Sequence, residues 1–506
     1  MKRIILTTVL LVVMGVMYGQ KNKLFIPKEL QKAYDAGSRS FTGEPGENYF
    51  QNRSSYVIEA EFDPETGLIS GTEEITYENN SPDILKYVAI RLYMNIFKRG
   101  VTRDFSLPPY DLHDGIDIKS FKVNGKKLGQ PEGPKLITDM GTVQLIRFEN
   151  PLMPGSNASL SIDWEVQLPQ KVSIRMGQYG ENNWFVAYWY PQIAVYDDIS
   201  GWDTHQFTGS AEFYNDFSDF DVTLTVPQDY MVWATGILQE PETHYQQGVL
   251  ENYRKAQKSD SVIHIVTSNR IADDEVLTNN NNWRFLAEGV PDFSFATSST
   301  YLWDGTSILL DTAAQRRVFV SAVYKRDTKD FHQVAELSRE IIRLFSEKVM
   351  QAPYPYPKLT AFNGDGGMEF PMMINDGDSR SFEGTVHLTA HEIGHNYFPF
   401  YVMTNESYYA FMDEGLVSFL PRVAEEYILE DYKPFEHLVQ SYESSAGTMT
   451  EVPLMIKSYQ ISDYRAYRTH AYTRPGVAFY LLKEMLGEKN FNKAFKAYVE
   501  RWKWKH

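Results

Sequence analysis

Between Tyr56 and Phe62 the chain alternates, with Tyr56, Ile58, Ala60 and Phe62 on one side and Val57, Glu59 and Glu61 on the other. A period of two predicts a strand with one buried face. Turn chemistry follows at Asp63-Pro64 and Thr66-Gly67, then Ile75-Thr76-Tyr77 resumes the pattern. Further strand-like runs stand at residues 88–93, 143–148, 160–166 and 221–226, the last stopped by Pro227. With Pro, Gly and Asn between the runs, residues 21–275 are expected to form one large antiparallel β-domain. Within it, Trp184-Phe185-Val186-Ala187-Tyr188-Trp189-Tyr190-Pro191 is unusually aromatic. It reads as a core strand, a pocket wall, or both, because a strand has two faces.

After about residue 325 the period changes. Phe331, Val334, Leu337, Ile341 and Leu344 follow three- and four-residue steps, which predicts an amphipathic helix ending before Pro353, Pro355 and Pro357. A short strand is expected at 359–362, followed by Gly364-Asp365-Gly366-Gly367-Met368-Glu369-Phe370-Pro371. One helix should run from near Gly384 to before Pro399, a second should carry Glu414, and a third stretch should cover 477–502. Pro421 inside the second predicts a kink or restart. Residues 276–506 therefore read as a mainly helical domain, and the whole as an α+β multidomain chain.

The helix before Pro399 contains His391-Glu392-Ile393-Gly394-His395. Residues four apart share a helix face, so both imidazoles can address one ion. Glu414, in Met412-Asp413-Glu414-Gly415 and nineteen positions past His395, supplies a carboxylate from the next helix as third ligand. A fourth position stays open for water, and one Zn²⁺ is the expected cofactor. Glu392 lies about 100° around the helix from His391, where it reaches that water without ligating the ion. A helix that carries two histidines by coincidence is the bland alternative, and the distal Glu414 disfavours it. His387 shares the helix face of His391 but reads as a buried, hydrogen-bonded histidine. Asp413 reads as a helix-start residue that could also orient a histidine.

Composition narrows the partners. A chain of 506 residues is too long for one core and should hold two or three domains, and 43% hydrophobic content fits a folded protein. The formal charge of −17 argues against nucleic acid or an anionic membrane, which demand a basic face. Lys2 and Arg3, the apolar run 4–17 and small or polar residues near Gly19 predict a secretory signal over 1–20, shorter in its apolar part than a membrane span. Export to periplasm or medium is expected, with no membrane span left after signal removal. There is no cysteine, hence neither a disulfide nor a lipid-attachment thiol.

Gly366-Gly367-Met368-Glu369-Phe370, with Glu369 22 residues before His391, resembles the Gly-x-Met-Glu-Asn exopeptidase motif of the zinc aminopeptidases related to alanyl aminopeptidase and leukotriene hydrolase, in the gluzincin clan. Tyr472, 81 residues beyond His391 in Tyr472-Thr473-Arg474-Pro475-Gly476, is similar to that family's catalytic tyrosine in position. Gly71-Thr72-Glu73-Glu74-Ile75 and Asn79-Asn80-Ser81-Pro82 add to the likeness, which covers roughly residues 50–506. The resemblance implies a saddle-like β-domain followed by a thermolysin-like zinc peptidase domain, and hydrolysis of the first residue from peptides with a free N-terminus. It also implies roles: His391, His395 and Glu414 as metal ligands, Glu392 as general base and Tyr472 as oxyanion donor. Glu369, with Gly366, Gly367 and Met368, would clamp the substrate's α-ammonium. Phe370 departs from the motif's asparagine, and Pro475 interrupts the family's tyrosine-x-lysine-glycine run; Tyr464, Tyr467 and Tyr480 are rivals to Tyr472. The family's C-terminal helical domain is expected to be absent or truncated, because the last helical stretch runs almost to the final residue. An endopeptidase of the same clan and a non-catalytic scaffold with this fold are the competing readings.

Overall fold

The computed structural model describes residues 26–364 and 366–506. The expected secretory signal, residues 1–20, lies outside them. The chain divides into two compact units, one formed by the described residues up to Tyr49 with Asp198–Ser200, the other by the rest. In the first, helix Lys28–Ala36 is closed by Gly37 in the left-handed conformation, and Arg39 pairs with Asp198 at 2.6 Å.

In the second unit, strand Arg53–Asp63 buries Ser54, Tyr56, Ile58, Ala60 and Phe62 and turns the intervening residues out. It runs antiparallel to Leu68–Glu78, which pairs in turn with Asn157–Gln167. On its other side it pairs with Ser218–Thr225 in parallel. The resulting eight-stranded sheet is thus not purely antiparallel, because the long connection to Ser218–Thr225 imposes no hairpin geometry. Two strands beyond residue 275 return to these sheets: Asn282–Val290 pairs with Ser218–Thr225, and Phe295–Ser298 with both Asn183–Val186 and Met231–Ala234.

One core position breaks the alternation rule. Glu73 faces inward between Ile58 and Ile162, and neither of its carboxyl oxygens has a hydrogen-bond partner. Burial alone holds this carboxyl well above its ordinary value of 4.5. The folded chain keeps a proton that the unfolded chain releases, so this residue's contribution to stability falls as pH rises above 4.5. Glu73→Leu should therefore stabilise the fold by about 1–3 kcal/mol at pH 4, with the gap from wild type widening at pH 7. Denaturant unfolding at the two pH values measures it, and an equal or smaller gap at pH 7 would mean that Glu73 is not buried as an acid.

A six-stranded mixed sheet follows in the order Ile263–Val266, Leu302–Asp311, Arg316–Tyr324, Lys358–Asn363, Met373–Asp376 and Met368–Phe370. Its last strand is only three residues long and has an open edge. Beyond it lie helix Phe382–His395, capped by Ser381 Oγ accepting from Gly384 N at 3.2 Å, and helix Glu414–Ile428. The second helix runs through Pro421 without a restart. The stretch expected at 477–502 is two helices, Arg474–Leu486 and Glu488–Trp502, parted by Gly487 at φ 70°. Among the described residues no helix is long and apolar enough to cross a membrane.

Candidate metal centre

Helix Phe382–His395 ends on two imidazoles one turn apart, and Glu414 at the start of the next helix faces them. His391 Nε2 and His395 Nε2 are 3.3 Å apart, and Glu414 Oε2 stands 3.4 Å from the first and 3.7 Å from the second. Ligands at zinc distances in a tetrahedron are separated by about 3.3 Å. The hydrogen bonds fix the tautomers. His391 Nδ1 is 2.8 Å from the Val417 carbonyl, and His395 Nδ1 is 3.0 Å from Asp413 Oδ1 and 3.1 Å from the Phe398 carbonyl. Each Nδ1 donates its proton to those oxygens, so each Nε2 turns a lone pair toward the other. Glu414 Oε2 is buried without a hydrogen-bond partner. Three acceptors facing one another repel unless a cation lies among them, and this donor set suits Zn²⁺.

Pro421 takes part in this arrangement. It has no N–H to give the carbonyl four residues back, and that carbonyl is Val417, the acceptor of His391. Gly415 also has a packing reason: a Cβ there would stand 2.5 Å from Pro475 Cβ, so the glycine lets the helix of Glu414 lie against the first turn of Arg474–Leu486. The π-helical segment Thr469–Thr473 leads into that helix and carries Tyr472. The Tyr472 hydroxyl donates to Glu414 Oε1, and its ring lies parallel to His391 at 6.2 Å. Of the other tyrosines, Tyr464 is exposed, Tyr480 stacks on Phe435, and Tyr467 has a buried, unpartnered hydroxyl.

Glu392 is buried beside the cluster and its Oε2 has no partner. Burial first, then the charges of Glu369, Asp376 and Glu414, raise its carboxyl well above the usual range, while Arg175 opposes them. Glu369 lies on strand Met368–Phe370, paired with Ile374, and its Oε1 is 3.7 Å from His395 Nδ1. Alternation turns its neighbours away: Phe370 packs against Phe185 and Tyr188, and the Met368 side chain is buried. Only the backbone of Met368 is left to offer a substrate. Gly366 and Gly364 pack on Asn375, where a Cβ would stand 2.6 Å and 2.1 Å from its side chain, and Gly367 at φ 55° borders Glu392.

Two residues of the β-rich region enter this cleft without any signal in the sequence. Ile174 and Arg175 form the tip of a tight turn, both with positive φ, closed by Ser173 and Met176. Asn375 Nδ2 holds the turn by donating to the Arg175 carbonyl at 2.9 Å. The Arg175 guanidinium donates to the Gly367 carbonyl at 3.3 Å and to Glu212 Oε1. Glu212 Oε2 is buried and unpartnered, and Glu212, Glu406 and Glu414 offer oxygens within 4.8 Å of one another. Around one space stand six buried carboxyl groups, those of Glu212, Glu369, Glu392, Glu406, Asp413 and Glu414. Arg175 is the cation whose charge bears on Glu369 and Glu392. Such a cleft calls for more positive charge than the side chains bring.

His387 stays outside the cluster: its Nδ1 is 2.8 Å from Glu425 Oε1, and Arg422 donates to its ring. The aromatic run is mainly core. Trp184 packs edge-on against Phe62, and Trp189 packs against Trp164 and Phe293. Tyr188 is the member whose hydroxyl is subject to the charges of Arg175 and Glu369.

Residues 334–506 match the model of the peptidase family M1 domain. No curated protein matches the chain by sequence. Among solved structures, an M1 zinc metallopeptidase from Deinococcus radiodurans is similar with a TM-score of 0.58 and 14% identity, over 91% of this chain and 89% of that one. A mutant of an M1 zinc metallopeptidase from the same organism, bound to a Tyr-Ser-Ala substrate, is similar with a TM-score of 0.55 and 12% identity over the same shares. At these identities the likeness speaks for the fold.

Proposed function

We propose that the chain, whose residues 334–506 match the peptidase family M1 domain and whose fold is similar to an M1 zinc metallopeptidase, is a zinc aminopeptidase. The observation that carries this reading is Glu369, a buried carboxylate beside the metal ligands on an open-edged strand. A peptide extended along Met368–Phe370 would pair with that edge by its backbone, and its α-ammonium would meet Glu369 and the free oxygen of Glu212. The first peptide bond would then lie over His391, His395 and Glu414, which would hold the ion. A blocked or internal amide leaves these carboxylates unpaired and is rejected. The Tyr-Ser-Ala ligand of the similar Deinococcus protein supports a peptide as the substrate class.

His391, His395 and Glu414 would hold Zn²⁺, which when bound would supply Lewis acidity and make a water nucleophilic near neutral pH. Glu392 accepts the water's proton and returns it to the departing amine. Its burial and its acidic neighbours keep it a competent base beside a dication, and the Glu392 carboxyl delivers the proton to the nitrogen as the C–N bond breaks. The Tyr472 hydroxyl, which donates to Glu414 in the free enzyme, turns to the oxyanion developing on the carbonyl, a donor worth about 3 kcal/mol. The basic and apolar N-terminal sequence supports export, with periplasm or medium as the setting.

The test is hydrolysis of Tyr-Ser-Ala and of its N-acetyl form by the zinc-loaded protein. Release of tyrosine from the free peptide alone, abolished by a chelator and restored by Zn²⁺, is the expected outcome. Equal cleavage of both would make the protein an endopeptidase, and no cleavage of either, with metal bound, would make it a scaffold.

A further inference from the structure

Strand Lys358–Asn363 begins with a lysine that is only 8% exposed. Its ammonium donates to the Ala234 carbonyl and lies 5.9 Å from the centre of the Phe285 ring. Among the described residues no carboxylate pairs with it; the charged neighbour in the same wall, Arg317, is itself a cation and is committed to Asp260. Lys358 lines a cavity of about 180 Å³ whose other walls include Trp233, Tyr245, Tyr253, Phe285, Trp303 and Phe319. Trp233 and Trp303 meet edge to face at 5.9 Å, so the walls are braced against each other. None of these residues belongs to the metal centre.

Two physical facts meet here. A buried ammonium without an anion is costly, and proteins nearly always provide the counter-charge. An aromatic-walled space of this size accommodates one six-membered ring, since an apolar cavity of about 150 Å³ takes benzene. We propose that the cavity binds a small aryl or arylalkyl carboxylate, its ring among the aromatic walls and its carboxylate paired with the Lys358 ammonium. Burial lowers the ammonium to about 7, so without a ligand the amine is partly neutral at physiological pH. A bound carboxylate favours its protonated form. A free amino acid fits less well, because its own ammonium would enter a site that already holds a cation.

The full chain is titrated with benzoate and 3-phenylpropionate, following the fluorescence of the cavity tryptophans, with benzyl alcohol and acetate as controls. Saturable binding of the two aryl acids is expected, at least tenfold tighter than either control. Lys358→Met should weaken it at least tenfold while leaving peptide hydrolysis unchanged. In parallel, the unmodified protein is acylated at neutral pH and mapped by peptide mass: Lys358 should be labelled early, and benzoate but not benzyl alcohol should protect it. Equal binding by Lys358→Met, equal binding of benzyl alcohol, or absence of protection overturns the proposal. If Lys358→Met fails to fold, the protection experiment decides alone.

Discussion

Glu392→Gln should retain one equivalent of zinc and lower kcat by about 10²–10⁴-fold, the usual contribution of a positioned general base. The substitution keeps the side chain's size and leaves the Nδ1 contacts of His391 and His395 with Val417, Phe398 and Asp413 untouched, so metal binding is insulated from it. What is lost is the ability to take a proton. KM should stay near its wild-type value, because Glu392 acts on water and on the departing nitrogen rather than on the bound peptide. Metal analysis with steady-state kinetics on a tripeptide makes the measurement. A variant that keeps more than a tenth of wild-type kcat would remove Glu392 from the base role and send the search to another group in the cleft.

The second large effect belongs to Glu369→Gln. Losing one partner of a buried, charge-assisted pair typically costs 2–5 kcal/mol, so kcat/KM for free-amine peptides should fall roughly 30- to 5,000-fold. Activity on an N-acetylated peptide, already low, should not fall further, and the ratio between the two substrates should collapse. That ratio separates recognition of the amine from damage to the metal site, which would depress both substrates together. A preserved ratio would mean that the amine is held elsewhere, with Glu212 as the first alternative because its Oε2 is buried and unpartnered.

The candidate metal centre is legible in the sequence because helical geometry turns a spacing of four directly into a shared face. Glu414 and Tyr472 lie farther along the chain, yet the structure gathers both against His391 through packing that Gly415 and Pro475 make possible. Arg175 and Glu212 are not legible. Arg175 reaches the cleft by way of a strained turn pinned by Asn375, and nothing in Ile174-Arg175 marks it as a turn, since neither residue favours positive φ; Glu212 is tied to it by its pairing with Arg175. Trp184 and Trp189 illustrate a different limit. Composition signals that aromatic side chains are buried, but only the fold tells that Trp184 faces Phe62 while Tyr188 faces the acids. Glu73 sits where alternation calls for an apolar residue, and no local pattern reports that it is swallowed by a sheet.

The stretch that matches the family model starts at residue 334, whereas three of the six strands supporting the cleft, Ile263–Val266, Leu302–Asp311 and Arg316–Tyr324, precede it. The matched segment therefore contains only part of the sheet that supports the cleft.

Helix-breaking residues are ordinarily counted against a fold. In Glu414–Ile428 the rung missing from the ladder at Pro421 is the socket into which an imidazole docks, so the local loss of helix stability and the fixing of a tautomer are one event. A substitution that mended the ladder would set a peptide amide and His391 competing for a single oxygen, and a more regular helix would come with a looser grip on the ion.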